Sequence, residues 1–146
     1  MALTITTLDC GKEKVWDDLV LSSSFGTIFH TIAWLRLVQE QTNTEFLPLM
    51  FYKGSQLVAI YPIFIIKQGA VKLALSPPSR SYMLYLGPVI AEYDSLKQDK
   101  KESRYIQIQE EIDKYIFETK KCNYSRIRSS PGLFDSRPLR WAGYTV

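Results

Sequence analysis

Four arginines and three aromatic residues have the types and spacing to hold a ligand. Arg80 and Tyr82 lie in SPPSRSYMLYLGP (76–88), and Arg126, Arg128, Arg137, Trp141 and Tyr144 lie between residues 124 and 144. A guanidinium offers a planar fork of donors that matches phosphate and carboxylate, and aromatic faces receive rings or cations. From Lys120 to Arg140 the chain carries six basic groups, Arg140 among them, against one acid, Asp135. That imbalance is a local positive field suited to an anionic ligand. The double proline beside Arg80 stiffens its loop, and stiff loops held by regular elements often carry binding groups. Two plainer accounts fit the same residues: a solvated basic surface, and a turn pinned by Arg137 with Asp135.

No catalytic residue emerges. There is no GxSxG, no GxGxxG and no GxxxxGK[ST] in the sequence, so nucleophile-elbow, dinucleotide and P-loop chemistry are unsupported. The single histidine, His30, precedes a helix with no acid or nucleophile near it in sequence, and reads as a packing or capping residue. Cys10 and Cys122 stand far apart with no CxxC, so no zinc site can be assembled and reduced thiols in a cytoplasmic protein are expected. No RNA-binding or helix-turn-helix signature accompanies the basic residues, which argues against sequence-specific nucleic-acid recognition. The N-terminal residues lack a signal-peptide pattern, and the longest apolar run, LVAIYPIFII (57–66), is too short to span a bilayer.

The elements that would position these groups follow from periodicity. LTITTL (3–8) alternates as a strand, and EKVWDDLVL (13–21) is a helix that buries Val15, Trp16, Leu19 and Val20. SSSFG (22–26) breaks it, and a second helix runs from about Thr31, its N-cap, to Gln41. FLPLMFYK (46–53), QLVAIYPIFIIK (56–67) and VKLALS (71–76) are three consecutive strands, the first two joined at Lys53-Gly54-Ser55. Pro62 cannot donate to a ladder and requires a bulge or an unbonded position. YLGPVIA (85–91) is extended. A long helix between about Ser95 and Lys121 carries the stripe Tyr105, Ile108, Ile112, Tyr115 and Ile116, with 97–104 polar enough to be loop. YSRIRSS (124–130) alternates, with Tyr124, Arg126 and Arg128 on one face. Tyr144-Thr145-Val146 reads as the start of a further strand. The order β-α-α-β-β-β-α-β predicts an α/β (α+β) fold, a mixed sheet with helices on both faces.

That order resembles the first half of the GNAT acyltransferase fold. SSSFGTIFHTIAWL is similar to the opening segment of the Fem-type aminoacyltransferases, LPLMFYKGSQLVAIYPIFIIKQG to their paired central strands, LGPVI to the strand before the long helix, and FDSRPLRWAGYTV to the end of their first GNAT-like module. The resemblance implies that residues 1–146 are one GNAT-like module, the first half of a longer two-module protein. It implies a substrate-docking role in acyl or aminoacyl transfer to an amine acceptor, with no activity for the module alone. The implied partners are a second GNAT-like module, or a second copy by self-association, and an anionic nucleotide-linked or aminoacyl-tRNA substrate. One departure matters. The glycine-rich pyrophosphate loop of CoA-binding relatives is replaced here by LGPVIAEYDSLKQDKKESR, so no CoA or other cofactor is expected on this module. The family's substrate-binding residues do not map onto individual positions. Two further classes remain open: a stand-alone binding or interaction domain without transferase activity, and non-specific nucleic-acid binding through the basic segment.

Overall fold

The computed structural model describes residues 2–146. In chain order it holds β1 (Thr4–Thr7), α1 (Glu13–Ser22), α2 (Ile32–Thr42), β2 (Glu45–Lys53), β3 (Gln56–Gln68), β4 (Val71–Ser76), β5 (Val89–Ile90), α3 (Gln98–Asp113), β6 (Tyr124–Ile127) and α4 (Arg137–Trp141). A 3-10 turn covers Ile28–His30, and a π-helical stretch over Lys114–Thr119 extends α3. The six strands form one mixed sheet in the order β1-β2-β3-β4-β6, with β5 paired to β3. Strands β1 to β4 run antiparallel, and β6 lies parallel to β4 with Leu73 opposite Tyr124 and Ser76 opposite Ile127.

The central hairpin follows from two apolar runs, 46–52 and 57–66, and from Gly54, whose φ of 64° closes the tight turn between β2 and β3. β3 is buried without interruption from Val58 to Ile65, which requires cover on both faces. The cover is traceable residue by residue. Phe64 stacks on Phe46, whose ring meets Trp16 of α1 edge-on. Tyr61, of opposite parity on the same strand, reaches Gln109 of α3. Helices α1 and α3 therefore lie on opposite faces of the sheet. Trp16, Phe51, Tyr61, Phe64 and Tyr105 are all fully buried, and each contributes about 2–3 kcal/mol of apolar burial.

Pro62 sits opposite Pro48 of β2. On its other side β3 pairs with β5 at Ala59 and Ile60 and with β4 from Phe64 onward. Residues 61–63 thus face a gap in the ladder, where a missing N–H costs nothing. Ser76 Oγ bridges this gap, donating to the Pro62 carbonyl at 2.7 Å and accepting from Gly87 N–H at 3.0 Å. Gly87 has φ of 71°, and a Cβ there would lie 3.1 Å from Ser129 Cα. Both the backbone conformation and the close approach select glycine in LGPVI.

Several local expectations are corrected. One element is added, α4 after β6, while the extended segments expected at 85–91 and 124–130 are strand only over Val89–Ile90 (β5) and Tyr124–Ile127 (β6). Residues 97–104 are helical from Gln98 onward, not loop. Val15 is 43% exposed rather than buried. Thr31 occupies the N-cap of α2, but its hydroxyl donates to Ile28 O, and Asp17 of α1 accepts the Ile32 N–H instead. Tyr144-Thr145-Val146 is not strand: the turn of α4 ends at Trp141, and the chain leaves it as irregular backbone. Pro138, fixed near the helical φ, opens α4 two residues after Ser136.

Candidate functional site

The basic loop and the basic strand come together. Pro77, Pro78 and Met83 are buried and anchor the loop that follows β4, leaving Ser79–Tyr82 at the surface. Arg80 and Tyr82 take left-handed backbone conformations, φ 63° and 59°, which non-glycine residues adopt at a cost of about 1 kcal/mol or more each. Ser81 braces the turn by donating to Pro78 O at 2.7 Å. Arg126, on β6, reaches across and donates to Ser79 Oγ at 2.9 Å. With Arg128 these groups line an open groove of about 440 Å³ that contains no acidic residue. The side chains of Arg80 and Arg128 have no ion-pair partner among the described residues. The groove lies beyond the carboxyl ends of the parallel pair β4 and β6, where open α/β sheets commonly receive ligands.

Arg137 and Trp141 stand apart from that groove. Arg137 donates to Asp135 at 2.9 and 2.8 Å and also pairs with Glu102 of α3. The guanidinium beside it holds the Asp135 carboxyl below its usual range. Its charge is spent on tying α4 to α3. Trp141 is 56% exposed, and the Arg137 guanidinium lies 5.7 Å from its ring centre. Tyr82, 98% exposed, stands on the rim of the basic groove.

Tyr144 belongs to a second site. Its hydroxyl donates to Asp113 Oδ1 at 2.7 Å and lies 3.2 Å from Ser125 Oγ. Gln109 Nε2 donates to Asp113 Oδ1 at 3.0 Å and to the Tyr144 hydroxyl at 3.2 Å, while Gln109 Oε1 accepts from Tyr61 at 2.9 Å. A polar chain thus runs from the centre of the sheet through α3 to the C-terminal residues. Burial pushes the Tyr61 and Tyr144 phenols up, so both stay protonated at neutral pH. Burial also raises the Asp113 carboxyl, against the lowering effect of its two donors. Beside this chain lies a cavity of about 550 Å³ with Ile127, Leu133 and Leu139 in its wall.

His30 takes neither role. Its Nδ1 accepts from Thr27 N–H at 3.2 Å, which places the proton on Nε2, and Nε2 donates to Leu86 O at 3.0 Å. Trp16 Nε1 donates to the His30 carbonyl at 2.7 Å. The ring joins the 3-10 turn to the Leu86 segment, as the capping reading expects, and the residue's carbonyl ties both to α1. Burial lowers its pKa from 6.5 to about 4.

Asp113, Gln109, Ser125 and Tyr61 carry no signal as a site in the sequence. Gln109 and Asp113 are four apart on α3, beside the apolar stripe, and a glutamine fully buried in a helix is the one feature that points to a polar network. No group of three or more potential metal ligands occurs among the described residues, and no helix among them is long and apolar enough to cross a membrane. No protein-family model matches the chain, and no curated protein matches it.

Proposed function

We propose that this chain is the substrate-docking half of an acyl or aminoacyl transferase that acts on an amine acceptor. One observation carries the reading: Arg80, Arg126 and Arg128 converge on an acid-free groove at the carboxyl ends of a parallel strand pair. A strand, two helices, a three-strand meander, a long helix and a returning strand is the order on which the resemblance to GNAT-like modules rests, and a mixed sheet with helices on both faces is in keeping with it. The groove's charge suits the phosphate groups of an aminoacyl-tRNA or a nucleotide-linked peptide. The glycine loop that would hold CoA pyrophosphate is replaced in the sequence, so the groove takes a donor recognised through side-chain guanidinium groups rather than backbone amides. A second module or a second copy of the chain would complete the transferase.

The test is a binding titration of the protein with an aminoacyl-tRNA and with a nucleotide-linked peptide at low and high salt. Affinity should fall as salt rises, and Arg126→Ala with Arg128→Ala should weaken it at least about tenfold. Binding that is unchanged in the double variant refutes the assignment.

A further inference from the structure

The cavity beside Asp113 shares only Arg126 with the basic groove, and it alone of the two has an acidic side chain in its wall. It is bounded by the C-terminal end of α3, by β6 and by the residues after α4. Asp113 is half-buried in its wall. One carboxylate oxygen, Oδ1, is fully engaged by Tyr144 and Gln109. The other, Oδ2, has no donor among the described residues, and no lysine, arginine or histidine among them lies within ion-pair distance of Asp113. The one basic side chain in the wall, Arg126, is not within ion-pair distance of Asp113 and donates one N–H to Ser79 Oγ in the basic groove. Two donors therefore orient the carboxylate while its second oxygen and its charge stay uncompensated, in a pocket of ligand-binding size. Ser125 Oγ and the Tyr144 hydroxyl supply further acceptors beside it, and Leu133, Leu139 and Ile127 provide an apolar wall.

We propose that this pocket binds a primary ammonium group carried on an aliphatic chain, with Asp113 as its counter-ion. An ammonium has three donors, which match Asp113 Oδ2, Ser125 Oγ and the Tyr144 oxygen, and the apolar wall takes the methylene stem. A half-buried carboxylate with a free oxygen gains a partner that offsets its desolvation. The inference stands on this geometry alone.

The experiment is a calorimetric or NMR titration of the full chain with n-hexylamine, with 1-hexanol as the neutral isostere and no anionic donor present. Hexylamine should bind at least about tenfold more tightly than hexanol and should shift the resonances of Asp113, Ser125 and Tyr144. Asp113→Asn keeps the Oδ1 acceptor for Tyr144 and Gln109 and should abolish that preference. Equal binding of amine and alcohol to the unaltered protein overturns the proposal, and so does the absence of amine binding at tens of millimolar. An amine preference that survives in Asp113→Asn also overturns it. Because no anion takes part, failure here leaves the basic-groove reading standing, and failure there leaves this one.

Discussion

Lowering the pH should weaken the fold through one side chain. His30 is fully buried, and its two ring nitrogens are committed to Thr27 and Leu86 in the neutral tautomer. Protonating Nδ1 would set an N–H against the Thr27 N–H and place a charge where burial excludes water. The ring accordingly titrates at about 4 in the folded chain, against 6.5 for an ordinary histidine. Between those values the unfolded chain binds a proton that the folded chain does not, so stability falls as the pH drops through this window and levels off below about 4. The separation corresponds to about 3 kcal/mol, a large share of a domain's total stability. Asp113 works in the other direction: its raised pKa lets the folded chain take up a proton first, so acid relieves rather than adds cost there. Bulk unfolding curves mix the two effects, whereas the imidazole resonances belong to the only histidine in the sequence. An NMR titration of those resonances should show a midpoint near 4, with urea stability declining from pH 6.5 to 4. A His30 midpoint at or above 6 refutes the reasoning, whatever the unfolding curves do.

Three other outcomes are expected. Gly87→Ala forces a Cβ to 3.1 Å from the Ser129 backbone at a positive φ and should cost about 2 kcal/mol in urea unfolding; a loss under about 0.5 kcal/mol would contradict it. Acetyl-CoA should not bind, because the sequence after β4 lacks the glycine-rich pyrophosphate loop, and micromolar affinity by calorimetry would overturn that expectation. The protein should self-associate at high concentration through the open edge of β6 and the exposed rings of Phe134 (89%) and Trp141; light scattering should report a monomer once both rings are replaced by serine, and a dimer that persists would place the contact elsewhere.

The strands β2, β3 and β4 are legible in the sequence because apolar runs end at Gly54 and Gly69, where the backbone must reverse. The basic groove is half legible. Arg126 and Arg128 share a face by simple alternation, but only the fold brings the loop after β4 against them. Helix α4 escapes detection because it is five residues long, and the Tyr144-Thr145-Val146 run that follows it has strand-forming residue types. Arg137 reads as a ligand-binding arginine until Glu102, 35 residues away, is found beside it. The Asp113 pocket is invisible for the same reason: Tyr144 lies 31 residues downstream of its partner, and pairings over that span leave no periodic trace.

The missing rungs at Pro62 have a mechanical meaning. A continuous ladder makes a sheet stiff along its hydrogen bonds, yet between β4 and β5 no main-chain bond crosses to residues 61–63 of β3. The sheet is therefore forked there, and one serine hydroxyl, that of Ser76, stitches the tines by holding Pro62 O and Gly87 N at once. The main chain of the same serine accepts from Arg128 N–H at 2.8 Å, so the stitch is also the root of the basic groove. Any widening of the fork reaches Arg128 by two main-chain contacts, its N–H on Ser76 O at 2.8 Å and its carbonyl under Leu86 N–H at 2.7 Å.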